Sequence, residues 1–272
     1  MKDFKGKTTV ITGAGSGLGR SFAVQLFAAG ADLALCDVDM AGLEETRQLC
    51  GNDEQRISLH RVDVSDRHQM QMFAGDVMQK HAGVDILINN AGISLTPEIF
   101  EDISHEQFER LVNINMWGVY HGLRTFLPHL KKRPEASIIN ISSLAGLVGL
   151  YGYSAYSLSK SAVRGLTEAL QSELYGSGVS ILLVHPGGIK TNIIKNAPNL
   201  KEDERMAAHE KFLKIASLDP DQAVKKILLA VRRKKNRLIL GMDAKLVFTL
   251  KKCFPRNYPK VIQTIFSQEM FK

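Results

Sequence analysis

Seven short runs of apolar and β-branched residues recur along this chain, and most are separated by longer stretches in which apolar positions return every three or four residues. The runs fall at 8–12, 32–36, 57–62, 85–89, 137–141, 180–185 and 237–240. Several are apolar almost throughout, as strands buried on both faces of a sheet must be. The segments 17–29, 41–50, 67–81, 106–131 and 154–175 have the amphipathic spacing of helices. Such alternation predicts right-handed βαβ crossovers and therefore a parallel sheet with helices on both sides, an α/β architecture. No linker-like stretch divides the chain, and no repeat extends beyond the βα alternation. One domain is the expectation.

Toward the C-terminus the pattern changes. Asp219-Pro220-Asp221-Gln222 predicts a sharp helix start, with Asp219 as N-cap and Pro220 at the first helical position. Ala223, Val224, Ile227, Leu228 and Val231 then form one stripe, ahead of Arg232-Arg233-Lys234-Lys235, which suits a helix C-terminus. Beyond Gly241, Leu246, Leu250, Cys253 and Phe254 recur at helical spacing; Pro255 and Pro259 interrupt; Val261, Ile262, Ile265, Phe266 and Met270 make a second stripe. With Lys245, Lys251, Lys252, Arg256 and Lys260 interspersed, 242–272 reads as one or two basic amphipathic helices. They are expected to pack on the domain, on a second subunit or on a membrane surface, and an apolar rim at a substrate entrance is compatible with each.

Composition narrows the class. The 272 residues are 44% hydrophobic and 23% charged, as in a globular protein. The formal net charge of +7 is uneven: 221–272 holds 13 Lys and Arg against Asp221, Asp243 and Glu269, giving +10 there and −3 elsewhere. The plain reading is a solvated helix face and a basic tail; an anionic membrane surface is the alternative. No stacking-aromatic or recognition-helix pattern points to nucleic acid. Cys36, Cys50 and Cys253 are an odd number without metal-ligand spacing, so neither a disulfide framework nor a metal site is expected. A reducing compartment fits. MKDFKGKTTV has no apolar core of a secretory signal, and no apolar run reaches membrane-spanning length. A cytoplasmic location is expected, with peripheral membrane contact as the alternative.

Candidate chemistry lies at the ends of the strands. Thr12-Gly13-Ala14-Gly15-Ser16-Gly17-Leu18-Gly19 follows the first strand and opens the first helix. Glycines there let backbone approach a pyrophosphate whose charge meets a helix N-terminus. G-x-G-x-x-G does not fit, because Leu18 takes the third glycine's place; T-G-x-x-x-G-x-G does. Asp37 closes the second strand, where a carboxylate can accept hydrogen bonds from the adenosine ribose of NAD and repel the 2′-phosphate of NADP. Neither Ser16 nor Val38 offers that phosphate a cation. Asp63-Val64 follows the third strand, where an acid can reach an adenine amino group. Asn89-Asn90-Ala91-Gly92 closes the fourth, at the crevice where open α/β sheets bind ligands.

Tyr156 and Lys160 are four residues apart on a predicted helix, hence on one face, with Ser143 thirteen residues upstream. A phenol of pKa about 10 is a poor base at neutral pH. A nearby ammonium is expected to lower it, by charge rather than burial. Ser143, arriving from a strand end, could hydrogen-bond the substrate oxygen that exchanges the proton.

Together these residues resemble the short-chain dehydrogenase/reductase family in its compact one-domain form, over about residues 5–241. The motifs appear in the family's order: Thr12-Gly13-x-x-x-Gly17-x-Gly19, Asn89-Asn90-Ala91-Gly92, Asn115, Ser143, Tyr156-x-x-x-Lys160 and Pro186-Gly187. The resemblance implies a Rossmann-like, doubly wound, seven-stranded parallel sheet in the order 3-2-1-4-5-6-7. It also implies a dinucleotide-binding catalytic domain at 1–241; the mixed apolar and charged residues at about 192–218 read as a substrate lid within it, and the helical extension 242–272 departs from relatives that end shortly after the seventh strand. By the same resemblance Tyr156 is the general acid/base, Ser143 positions the substrate oxygen, Lys160 binds nicotinamide ribose, and Asn115 holds a water leading to solvent. The cofactor is implied to lie along Gly13, Gly15, Ser16, Gly17, Leu18, Gly19, Asp37, Asp63, Val64, Asn90, Ala91 and Gly92, and along Tyr156, Lys160, Pro186, Gly187, Ile189 and Thr191. Spacing to Tyr156 favours Ser143 over Ser142, and the following x-x-Gly favours Asn115 over Asn113.

The expected activity is NAD-dependent interconversion of an alcohol with a ketone or aldehyde, NADP being disfavoured by Asp37. Leu95, Leu144, Leu147, Leu150 and Tyr151 flank the motifs and suggest a hydrophobic substrate of lipid, steroid or retinoid type. An NAD-binding sensor without turnover is the competing class. Relatives pair through the helices that hold Asn115 and Tyr156, so a homodimer or homotetramer is implied.

Overall fold

The computed structural model describes residues 1, 3–195, 197, 199 and 201–261. Seven strands form at the expected places, each end within one residue of expectation: β1 Thr8–Thr12, β2 Asp32–Asp37, β3 Ile57–Arg61, β4 Ile86–Asn89, β5 Ala136–Ile141, β6 Val179–Pro186 and β7 Arg237–Leu240. They pair in parallel in the order β3-β2-β1-β4-β5-β6-β7. This is the Rossmann-like order that the resemblance implies.

Alternation along each strand divides the core into two layers, because successive side chains point to opposite faces. Ile11, Leu33, Leu35, Ile88 and Ile139 face a layer that includes Phe22 and Leu26 of α1 (Gly17–Ala28) and Val224 and Ile227 of α8 (Pro220–Arg232). Val10, Ala34, Leu87 and Ile138 face the other layer, with Phe73 of α3 (Arg67–Lys80), Phe126 of α5 (Gly118–Leu130) and Val163 of α6 (Ser154–Glu173). Burial of the strands on both sides accounts for their near-continuous apolar character. Asp219 caps α8 by accepting from Asp221 and Gln222, and the predicted stripe on that helix is buried. Helix α2 (Met40–Leu49) follows β2, and α7 (Glu202–Ile215) precedes α8.

One expectation is corrected. The single helix at 106–131 is three pieces: α4 (His105–Val112), a π-turn at Asn113–Trp117, and α5. The wider turn carries Asn115 inward, fully buried, where it exchanges two hydrogen bonds with the backbone of Ile93. π-turns often mark functional positions for this reason.

In the extension, Leu246 and Phe254 of the first apolar stripe are exposed. Helix α9 (Met242–Cys253) buries Ala244 and Val247 against Leu144, Leu147 and Val148, leaving Leu246 58% and Phe254 56% exposed. Its rotation is set at its first turn, where Asp243 accepts from the Gly188 N–H at 2.8 Å. The second predicted stripe lies mostly outside the described residues; of it only Val261 is described, and it is exposed.

Candidate active site

The glycine turn after β1 is a cradle by exclusion. Gly13 has φ +66°, and a Cβ on it would lie 2.8 Å from the Ala91 Cα; one on Gly15 would lie 3.0 Å from Asp37 Oδ2. Gly17, φ +52°, faces Thr191 at 3.3 Å, so the turn after β6 closes over the start of α1. Gly19 does not line the cleft: a Cβ there would lie 2.0 Å from the Gly13 carbonyl oxygen, which makes it a packing glycine.

The turn is stitched to the end of β4. Thr12 Oγ1 accepts from the N–H groups of Asn90 and Ala91, both at 3.0 Å, and Asn90 Nδ2 donates to the carbonyls of Thr12 and Gly13. Asp37 Oδ2 accepts from Gly15 N–H at 2.9 Å and its Oδ1 from Asp39 N–H at 3.1 Å. Asp63 Oδ1 accepts from the backbone and hydroxyl of Ser65. Arg20, the cation nearest this turn, is bound to Glu45 at 2.7 Å and to the carbonyls of Gly15 and Gly42.

At the ends of β4 and β5 the other predicted residues converge. The Ser143 hydroxyl accepts from Ala145 N–H at 3.1 Å and acts to favour the phenolate of Tyr156. Lys160 Nζ lies 5.7 Å from the Tyr156 ring centroid and donates to the Ile141 carbonyl at 3.1 Å. A Cβ on Gly92 would meet Asn115 Oδ1 at 3.1 Å and Lys160 Nζ at 3.2 Å, so this glycine brings the two side chains to one point. Ser142 is turned away and donates to the Lys160 carbonyl. Asn115 lies behind the cleft wall, whereas Asn113 lines it.

Burial governs the phenol of the protein on its own. It pushes Tyr156 up to about 12, with the Ser143 hydrogen bond acting in the other direction. It also pulls Lys160 from 10.5 down to about 8. The reason is geometric: a phenolate here loses water, and the ammonium is bonded to a carbonyl rather than to the phenol.

Apart from Asn115 and Gly19, the predicted site residues open on one cleft of about 1140 Å3. It is lined by Gly13, Gly15, Ser16, Gly17 and Leu18, by Asp37, Asp63 and Val64, and by Asn90, Ala91 and Gly92. Ser143, Tyr156 and Lys160 join them, with Pro186, Gly187, Ile189 and Thr191 at the end of β6. Of the apolar residues expected to flank the site, Leu144 and Leu150 line it; Leu95 and Leu147 belong to the core and Tyr151 is on the surface. Phe212 and Ile215 of α7, inside the segment 192–218 expected as a lid, and Leu246 of the expected apolar rim complete the apolar end; sequence reasoning missed Asp243 and Val247 of α9, which join them. It also missed His185, fully buried on β6, whose Nδ1 lies 3.0 Å from the Ser143 carbonyl.

The sequence profile of the short chain dehydrogenases matches residues 7–202. The chain belongs to this family. It is 37% identical over 265 residues to a putative oxidoreductase, SadH, of Mycobacterium tuberculosis, covering 96% of each chain. It is 32% identical over 215 residues to levodione reductase of Leifsonia aquatica, covering 78% of this chain and 80% of that one. Its fold matches the crystal structure of a short-chain dehydrogenase/reductase from Burkholderia phymatum in complex with NAD, with TM-score 0.84, 29% identity, and 93% and 95% of the two chains covered. The chain is thus an oxidoreductase of the short-chain dehydrogenase type.

Proposed function

We propose that this short-chain dehydrogenase interconverts a hydrophobic alcohol and its ketone or aldehyde with NAD(H), using Tyr156 as the proton donor and acceptor. The observation that carries the reading is the convergence of Ser143, Tyr156 and Lys160, with Lys160 Nζ 5.7 Å from the Tyr156 ring, on one cleft whose other end is the glycine cradle. The cradle fits a dinucleotide: side chains are sterically excluded at Gly13 and Gly15, and Asp37 offers a carboxylate where a ribose would bind. When bound, the nicotinamide supplies or takes up the hydride.

The chain's own residues handle the proton. With its phenol pushed up to about 12, Tyr156 is protonated at neutral pH and is ready to donate to the oxygen of a carbonyl substrate. Ser143 orients that oxygen through its hydroxyl. Lys160, still mostly cationic at pH 7, supplies the positive field that favours the phenolate left behind. Asn115 holds Lys160 and Ile93 in register across Gly92. In the oxidative direction Tyr156 has to be deprotonated first, so that direction is favoured by alkaline pH. Phe212, Ile215, Leu246 and Val247 provide an apolar wall for the substrate's body, and α7, at the apolar end of the cleft, acts as its lid.

Asp37, and the engagement of Arg20 with Glu45, support NAD over NADP. Calorimetry with each dinucleotide, followed by nicotinamide absorbance with pooled apolar ketones and alcohols, tests the whole reading. Tighter NAD binding with turnover is the expected result. Binding without turnover by any of them would reduce the chain to a dinucleotide sensor.

A further inference from the structure

A second depression, of about 220 Å3, lies at the open edge of the sheet, between β7, the C-terminal half of α8 and the start of α9. Its floor is apolar: Leu229, Ala230, Leu238, Ile239 and Leu240. Its charged lining residues are four cations, Lys226, Arg233, Lys235 and Lys245, with no carboxylate among them.

Their neighbours in sequence show that this is a sorted arrangement. Arg232 stacks on Phe4 at 5.0 Å, Lys234 pairs with Glu135 at 3.0 Å, and Arg237 pairs with Glu168. The four around the depression, by contrast, have no ion-pair partner among the described residues. Beside them stand apolar side chains in water: Leu229 44%, Met242 77% and Leu246 58% exposed. Leu246 also lines the mouth of the large cleft, so α9 is a shared wall between the two.

We propose that this face, formed by the end of α8, β7 and the first turns of α9, docks on an anionic lipid bilayer. The charges select the occupant. A second copy joined by a two-fold axis would set the same four cations against their own images, an arrangement that repels. An anionic bilayer offers negative headgroups to the rim and hydrocarbon to Leu229 and Met242. Contact is peripheral, since no described helix is long and apolar enough to cross a membrane. Docked in this way, the chain sets the mouth of its cleft beside the lipid, where an apolar substrate would be concentrated. The docking itself does not depend on the oxidoreductase reading; the benefit to substrate entry does.

The test is co-sedimentation of the full chain with vesicles of phosphatidylcholine alone and with added phosphatidylglycerol, at low and high salt. Binding should require phosphatidylglycerol and fade with salt. The combined variant Lys226→Gln, Arg233→Gln, Lys235→Gln, Lys245→Gln should lose at least tenfold in partitioning, since each cation near an anionic surface contributes roughly fivefold. None of the four lines the cleft, so turnover of a water-soluble ketone should be unchanged and reports that the variant is folded. Lys131→Gln with Lys132→Gln, just past the end of α5, is the control for cations removed elsewhere on the surface and should bind as the parent does. Equal binding to both vesicle types, undiminished binding by the four-fold variant, or an equal loss in the control would each overturn the proposal. Tyr156→Phe should bind vesicles normally, which separates a failure of docking from a failure of the chemistry.

Discussion

His185 donates its Nδ1 proton to the carbonyl oxygen of Ser143 at 3.0 Å. A carbonyl can only accept, so the proton must be on Nδ1 and the neutral ring leaves Nε2 as a buried atom without a partner. Burial pulls the imidazole from 6.5 down to about 4. A group whose folded pKa is depressed contributes stability that is present above its unfolded value and lost as pH falls through its folded value. Stability should therefore decline between pH 6.5 and 4, by up to about 3 kcal/mol from this residue. Thermal melts across that range check it: His185→Gln, which keeps an N–H but does not titrate, should flatten the acid limb.

Tyr156→Phe removes the phenolic oxygen and little else. Cofactor affinity should stay close to that of the parent, while turnover drops by roughly a hundredfold to ten-thousandfold, the usual contribution of a positioned acid or base. Calorimetry and steady-state rates on the same preparation check both halves. Activity within tenfold of the parent would exclude Tyr156 as the proton donor.

Lys160 gives the site a second pH signature. Its ammonium, pulled down to about 8 by burial, loses its proton as pH rises through that value, and the field favouring the phenolate goes with it. In the reductive direction kcat/KM should be level near pH 7 and fall with an apparent pKa near 8. Tyr156, at about 12, titrates too high to produce that limb. In Lys160→Met the residual rate should be low and the limb absent.

Asp37 receives two backbone N–H groups and faces the cleft. Asp37→Ser keeps a small acceptor while removing the charge that opposes a 2′-phosphate. The ratio of NAD to NADP affinity should fall at least roughly fivefold, the size of one screened repulsion of about 1 kcal/mol. Titration of the variant with both dinucleotides reads this ratio directly.

How much of this was legible beforehand depended on how local the causes were. The strands announced themselves because Ile11, Leu33, Leu87 and Ile138 are buried whichever way they point. Tyr156 and Lys160 were legible because four residues on a helix fix a shared face. Asn115 could be named, but its π-turn could not, since that distortion answers to the Ile93 backbone 22 residues away. The inner face of α9 was not legible for the same reason. Apolar spacing favoured Leu246 and Phe254, whereas the helix is turned by Asp243 bonding to Gly188, 55 residues upstream. The burial of the phenol was not legible, because a sequence shows which charges are adjacent but not how much water remains.

Asp243 itself leads to the sharpest geometric prediction. Its carboxylate lies directly over Gly187, where a Cβ would come within 2.1 Å of Oδ2 and 2.2 Å of Oδ1. Gly187 is not among the positive-φ glycines, so space rather than backbone conformation demands glycine there. Gly187→Ala should therefore cost about 1–3 kcal/mol through displacement of the carboxylate, with loss of the Gly188 bond and weaker cofactor binding. Asp243→Ala removes the obstacle along with the bond. In the Asp243→Ala background the added methyl group has room, and Gly187→Ala should be close to neutral. A double-mutant cycle read by denaturant unfolding and by dinucleotide affinity measures the coupling. Additive effects would mean that the end of β6 is held by something other than the C-terminal helix, whereas strong coupling would make α9 a working part of the cofactor site.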